Sequence, residues 1–136
     1  MIKKAFFLLI FISFLGCDDN SVDNNCFQND LIPINLSIQS PQLNGIQTPT
    51  GFSYINGGIS GIVVINSGAN GYKAFDRTCP NRDCKNPLTL AYPKLKCSCD
   101  ATEYSILDGS LVSGKSDCFL REYSAAVIGS TLQIRN

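Results

Sequence analysis

The chain of 136 residues contains no histidine. That absence removes Ser-His-Asp and Cys-His nucleophile systems, His-ligated metal sites, and any imidazole acid or base working near neutral pH. The chain also lacks an excess of charge of either sign. Eleven basic side chains balance 11 acidic ones, and 16% of residues are charged. A nucleic-acid partner is therefore not expected, because phosphate binding needs a concentrated basic surface. There is no long hydrophobic run. Ala5 to Leu15 is apolar except for Ser13, and it falls short of the roughly 20 apolar residues a spanning helix needs. There is no internal repeat and no pattern of a long helix. The length fits one domain.

The short apolar run follows the positive head Met1-Ile2-Lys3-Lys4, which is the form of an export signal. Phe14-Leu15-Gly16-Cys17 resembles a bacterial lipobox, in which the chain is cut before the cysteine and Cys17 becomes lipidated. The alternatives are an ordinary secretory leader cut nearby and an uncut anchor. Residues 1–16 are thus expected to be a lipoprotein signal peptide. Residues 17–29, polar and acidic from Asp18 and Asp19 onward, are expected to be a lipidated flexible tether. Acidic residues directly after the cysteine resemble the surface-export signals of Bacteroidetes lipoproteins, whereas in enterobacteria an aspartate there implies retention at the inner membrane. The expected location is the bacterial cell envelope, with the membrane as partner through the lipid on Cys17 and the outer membrane favoured over the inner.

Outside the cytoplasm cysteines have a different meaning. Setting Cys17 aside leaves six: Cys26, Cys79, Cys84, Cys97, Cys99 and Cys118. An even number in a small exported chain implies a disulfide framework, and six cysteines allow fifteen connectivities. Spacing does not choose among them.

From residue 30 to 136 the pattern is that of short strands. Ile34-Asn35-Leu36-Ser37-Ile38 alternates with period two, and Ile62-Val63-Val64-Ile65 is a β-branched run that turns through Asn66 to Gly71 into Tyr72-Lys73-Ala74-Phe75. Leu88 to Leu90, Leu95 to Cys97 and Tyr104 to Leu107 follow. Ala125 to Ile128 and Thr131 to Ile134 flank Gly129-Ser130, a two-residue turn. Turn signals every eight to twelve residues predict an all-β sandwich or barrel-like domain.

Cys79-Pro80-Asn81-Arg82-Asp83-Cys84 and Cys97-Ser98-Cys99-Asp100-Ala101-Thr102 resemble the two cluster-binding loops of the Rieske [2Fe–2S] iron–sulfur family. The family pattern is Cys-x-His followed, after an intervening stretch, by Cys-x-x-His. Here 15 residues, 82 to 96, separate Asn81 from Cys97, and Asp100 stands where the second histidine belongs. Cys84 and Cys99 occupy the places of the extra cysteines that form a disulfide in cytochrome bc-type members. Tyr104, Asp108-Gly109 and the stretch from Leu120 to Ile134 look like the family's aromatic, its Asp-Gly turn and its closing hairpin. The resemblance implies a Rieske-like fold of small antiparallel sheets over residues 30–136, with Cys79, Asn81, Cys97 and Asp100 at the former cluster-ligand positions.

A Rieske centre holds one iron with two thiolates and the other with two imidazoles, and this chain has no imidazole to offer. Asn81 brings a weak neutral amide, and Asp100 a hard carboxylate ill suited to sulfide-bridged iron. The chain is therefore expected to be a degenerate member without cofactor; the alternative is a [2Fe–2S] cluster on non-standard ligands. Thiolates on one metal lie about 3.7 Å apart, so in an oxidising envelope Cys79–Cys97 is expected to close beside the family-like Cys84–Cys99. That leaves Cys26–Cys118 by elimination. No metal is favoured; if there is one, Cys79, Cys97 and Asp100 would hold it.

Gly109-Ser110-Leu111-Val112-Ser113-Gly114-Lys115-Ser116 matches the phosphate-binding P-loop letter for letter. It lacks the strand-then-helix context that the pattern needs, so no nucleotide is expected. Asp83, Asp100 and Glu103 are candidates for a small acidic site, though loop carboxylates are mostly solvated. No catalytic constellation is present. The expected function is a non-catalytic binding or structural module of the envelope, with an unidentified protein or ligand at the loops. The alternative is an electron carrier.

Overall fold

The computed structural model describes residues 26–27, 33–81 and 83–136. The leader, Cys17 and all of the expected tether except Cys26 and Phe27 lie outside the described residues. The regular structure of the described chain is mostly β. Ten strands run in order: β1 (Ile34–Ser37), β2 (Phe52–Ile55), β3 (Ile62–Asn66), β4 (Tyr72–Asp76), β5 (Thr89–Ala91), β6 (Lys94–Lys96), β7 (Glu103–Ser105), β8 (Leu111–Ser113), β9 (Glu122–Ile128) and β10 (Thr131–Arg135). They form a six-stranded sheet, β1-β10-β9-β4-β3-β2, and a four-stranded sheet, β5-β6-β7-β8. Every pairing is antiparallel.

The sequence of β3 explains why two cores form. Ile62, Val63, Val64 and Ile65 are all buried, so both faces of this strand are covered. Side chains alternate across the sheet. Val63 and Ile65 pack with Phe75, Leu88, Leu95, Tyr104, Ile106 and Leu120 toward the small sheet. Ile62 and Val64 pack with Ala74, Tyr123, Leu132 and Ile134 on the other face, where Leu43 and Ile46 complete the layer.

Leu43 and Ile46 come from a 3-10 helix, Pro41–Gln47, and both are fully buried. Their spacing of three places them on one face of a helix with three residues per turn. The helix lies so close to β2 that a Cβ on Gly45 would sit 1.7 Å from the Phe52 carbonyl oxygen. Only glycine permits that approach, which covers the outer edge of the large sheet.

The small sheet is an excursion between two strands that touch. β4 and β9 pair directly, Ala74 opposite Tyr123 and Phe75 opposite Glu122, and β5 to β8 all lie between them in sequence. The two cysteine-bearing loops belong to this excursion. Their position is therefore fixed by the large sheet at one side and by β6–β7 pairing at the other.

Candidate functional site

The first cysteine loop leaves the end of β4. Its base is closed where Arg77 N donates to the Gly61 carbonyl at 2.8 Å and Leu88 N donates to the Arg77 carbonyl at 2.7 Å. The Arg77 guanidinium lies over the Tyr54 ring, 3.8 Å from its centroid, and its Nε donates to the Leu88 carbonyl at 2.9 Å. The second loop joins β6 to β7. It is a tight turn in which Cys97 N donates to the Thr102 carbonyl at 2.9 Å and Ala101 N donates to the Cys97 carbonyl at 3.0 Å.

Asp76, the last residue of β4, anchors the approach to Cys79. It is fully buried and accepts from Ile59 N at 2.6 Å, Thr78 N at 2.9 Å, Thr78 Oγ1 at 2.7 Å and Tyr123 Oη at 2.8 Å, with Ser60 N at 3.3 Å. Burial, reinforced by the hydrogen bond to Asp76, drives the Tyr123 hydroxyl far above the usual phenol value. Gly58 leaves room for the carboxylate: a Cβ there would sit 2.1 Å from Asp76 Oδ2, at a backbone φ of 60°. Asp76 and Tyr123 carry no motif, and sequence reasoning missed their partnership. The available signal was an ionisable residue directly after the apolar pair Ala74-Phe75, with a threonine two positions on.

The six cysteines lie in three pairs at disulfide distance. Cys79 and Cys97 are 5.8 Å apart between Cα atoms, Cys84 and Cys99 5.6 Å, and Cys26 and Cys118 6.2 Å. Cys79 and Cys97 are buried in the core under the loops, Cys84 is nearly so, and Cys99 is exposed. Cys26–Cys118 ties the segment before β1 to a third stretch, residues 114–119, that borders the two loops.

At the two positions where the resemblance puts imidazoles, Asn81 Nδ2 donates to Asp100 Oδ2. The same amide reaches the Lys115 carbonyl at 3.3 Å, so Asn81 touches all three stretches. Asp100 Oδ1 accepts from Thr102 N at 3.0 Å. The Thr102 N–H, then the Thr102 hydroxyl and the Asn81 amide, hold the Asp100 carboxyl below its usual range. Nearby, the Tyr104 hydroxyl is buried without a hydrogen-bond partner among the described residues. Burial raises its pKa, the Ser116 hydroxyl opposes the shift from outside bonding geometry, and the charge of Asp100 adds to it.

Between the loop tips lies an open cleft of about 610 Å³, walled by Asn81, Asp83, Asp100 and Asp117 beside Cys84 and Cys99. Asp83 and Asp100 thus share a surface, joined by Asp117, which sequence reasoning did not single out. Glu103 does not belong to it. Its carboxylate faces Lys94 Nζ at 2.7 Å on the small sheet, and that bond lowers its pKa. Lys94 and Glu103 thus form an ion pair on the small sheet. In the P-loop-like stretch Leu111 to Ser113 form β8, and no helix follows it.

No protein-family model matches the chain. No curated protein matches it in sequence. Among solved structures, the ferredoxin of carbazole 1,9a-dioxygenase from Nocardioides aromaticivorans IC177 aligns over 79% of this chain and 98% of its own, with a TM-score of 0.50 and 10% sequence identity. At that identity the likeness speaks for the fold alone, and the fold is Rieske-like: all-β, with two antiparallel sheets and cysteine pairs in the loops between them.

Proposed function

We propose that the chain is a cell-envelope lipoprotein whose Rieske-like domain carries no iron–sulfur cluster and serves as a non-catalytic binding or structural module. The observation that carries this reading is the hydrogen bond between Asn81 and Asp100. The two residues at the imidazole positions satisfy each other across the loops. A [2Fe–2S] centre of the Rieske type needs two neutral imidazoles on one iron and two thiolates on the other. The residues present do not fit that group. Asn81 can offer a metal only its weakly donating neutral amide oxygen, a carboxylate is too hard for sulfide-bridged iron, and Cys79 and Cys97 lie at disulfide distance from each other. The cleft between the loop tips is the surface offered to a protein or ligand, and the lipid on Cys17 holds the domain at the membrane.

The test is a spectrum and a thiol count. The mature protein is purified in air without a histidine tag, and its visible absorption, iron, acid-labile sulfide and free thiols are measured. A colourless protein with the six cysteines blocked to alkylation supports the module. Sulfide-to-iron absorption with iron and sulfide in near-equal amounts overturns it in favour of an electron carrier with non-standard ligands. Mass spectrometry of the N-terminal peptide from membranes tests the lipid on Cys17.

A further inference from the structure

We propose that the pairs Cys79–Cys97 and Cys84–Cys99 are together the oxidised form of one four-thiolate site, which takes a single soft divalent cation of the zinc class once both pairs are reduced. The inference rests on the reading that these cysteines hold no cluster.

Its geometric basis is Asn86. The Sγ atoms of Cys79 and Cys84, one from each pair, both lie 3.7 Å from the Asn86 carbonyl oxygen. They are therefore no farther apart than twice that distance. The Asn86 amide nitrogen lies 4.0 Å from the Sγ of Cys99. One residue thus has sulfur from both pairs around it. A tetrahedral zinc with metal–sulfur bonds near 2.3 Å sets its sulfurs about 3.7 Å apart. Once reduced, each pair opens toward that spacing and the two pairs draw together. The movement is confined to two loops whose bases are pinned at Arg77–Leu88 and Cys97–Thr102. While these four cysteines are paired they offer no thiolate, and among the described residues no group of three His, Cys, Asp or Glu side chains is placed to hold a metal; the site forms only on reduction. Four thiolates select a soft tetrahedral ion over hard cations. The exposed carboxylates Asp83 and Asp100 at the cleft mouth favour the approach of a cation.

Reduction enters at the exposed sulfur. A protein dithiol attacks Cys99 Sγ as its thiolate, which breaks Cys84–Cys99, forms a mixed disulfide and releases Cys84. The second thiol of the reductant resolves the mixed disulfide and leaves as an intramolecular disulfide. One dithiol is oxidised by two electrons, and Cys84 and Cys99 gain two electrons and two protons. Opening Cys84–Cys99 unfastens the loop tips that cover the buried Cys79–Cys97 pair, and a second equivalent of dithiol then reduces that pair by the same exchange. Binding the cation then displaces the four thiol protons.

The experiment uses the mature protein and a Cys26→Ser/Cys118→Ser variant, both reduced under argon and titrated with zinc ion, with cobalt ion as a coloured reporter. The expected result is one ion per chain in both proteins, thiolate-to-cobalt charge-transfer bands, and four thiols shielded from alkylation. Cys84→Ser/Cys99→Ser is expected to weaken zinc binding by more than the roughly 10–100-fold that loss of an outer-shell partner costs. If the reduced apo-protein unfolds, one zinc per chain must restore the native amide spectrum; a reduced chain that zinc leaves unfolded overturns the proposal. So does an affinity unchanged in Cys84→Ser/Cys99→Ser. Iron and sulfide in the unreduced protein would sink the clusterless reading. Failure of the iron-free, reduced protein to bind zinc sinks this inference alone.

Discussion

Asp76→Asn is the substitution that most directly tests how the loops are held. The native carboxylate is fully buried and all its contacts are donors: Ser60 N, Thr78 N and Thr78 Oγ1 on one oxygen, Ile59 N and Tyr123 Oη on the other. An amide of the same shape must turn its NH2 toward one of these groups. The cheaper orientation faces Ile59 N and Tyr123 Oη, because the tyrosine hydroxyl can rotate to accept while the Ile59 N–H cannot. The protein then loses charge-assisted bonds worth about 1.5–3 kcal/mol each and strands one backbone donor. Part of that loss returns through water, since only the tyrosine bond is deeply buried. The expected net cost is about 2–4 kcal/mol. Tyr123→Phe alone removes a single charge-assisted bond, about 1.5–3 kcal/mol, and should cost much less in the Asp76→Asn background. Urea unfolding of the four proteins with disulfides intact gives the cycle, and amide exchange at Ile59 gives a local readout. An Asp76→Asn protein within about 0.5 kcal/mol of the parent, or a strictly additive cycle, would refute the assignment of Asp76 as the anchor.

Three further outcomes follow from the same geometry. Tyr104→Phe removes a buried hydroxyl that has no partner among the described residues, so it should raise stability by about 1 kcal/mol; a loss of that size in thermal unfolding would mean the hydroxyl is satisfied. Asp100 has a depressed folded-state pKa, so its contribution to stability is present above its unfolded value of 3.8 and is lost as pH falls through the folded value. Asn81→Ala should move the Asp100 titration, followed by carboxyl NMR, upward toward 3.8, and an unmoved titration would show that the Asn81 bond is not formed. Replacing Cys26 and Cys118 together by serine opens a link with a sequence separation of 92, for which chain entropy gives about 4.6 kcal/mol. A loss below about 1 kcal/mol in urea unfolding would mean that the segment around Cys26 is held by other contacts.

The strands legible in the sequence were those with a clear period. Ile34 to Ser37 alternates in pattern and in burial, and the unbroken Ile62 to Ile65 run is covered on both faces. Gly129-Ser130 joins Ile128 to Thr131 as a two-residue turn. Edges were less secure. β7 begins at Glu103, one residue before the apolar run, because Glu103 pairs in register with Lys96. β2 was not anticipated: Phe52-Ser53-Tyr54-Ile55 buries its serine and its isoleucine and exposes both aromatics, the reverse of what side-chain hydrophobicity suggests. The buried Ser53 hydroxyl accepts from Gly45 N at 3.0 Å, and Tyr54 is occupied at the rim by Arg77 and by the Leu90 N–H. The 3-10 helix escaped because two apolar residues three apart among polar neighbours carry little periodic signal. At the site, the loops that bear cysteine are visible from spacing, whereas Asp76, Asn86 and Asp117 become meaningful only when the chain brings distant segments together.

The cleft can therefore vary while its walls stay fixed. The Asn81–Asp100 bond lies near the surface, where a hydrogen bond contributes about 0.5–1.5 kcal/mol. The cysteine pairs bridging the same loops span separations of 18 and 15, worth about 3 kcal/mol each by chain entropy, though the two are not additive because either already restricts the other. The covalent links rather than the polar bridge hold the loop tips together. Asp76 holds the base of the first loop from the opposite side, through Thr78, one residue before Cys79. A loop fastened by its base and by its sulfurs does not depend on the residues at positions 81 and 100 for its shape. On the clusterless reading, those positions are where side chains can change the surface of the cleft without disturbing the fold.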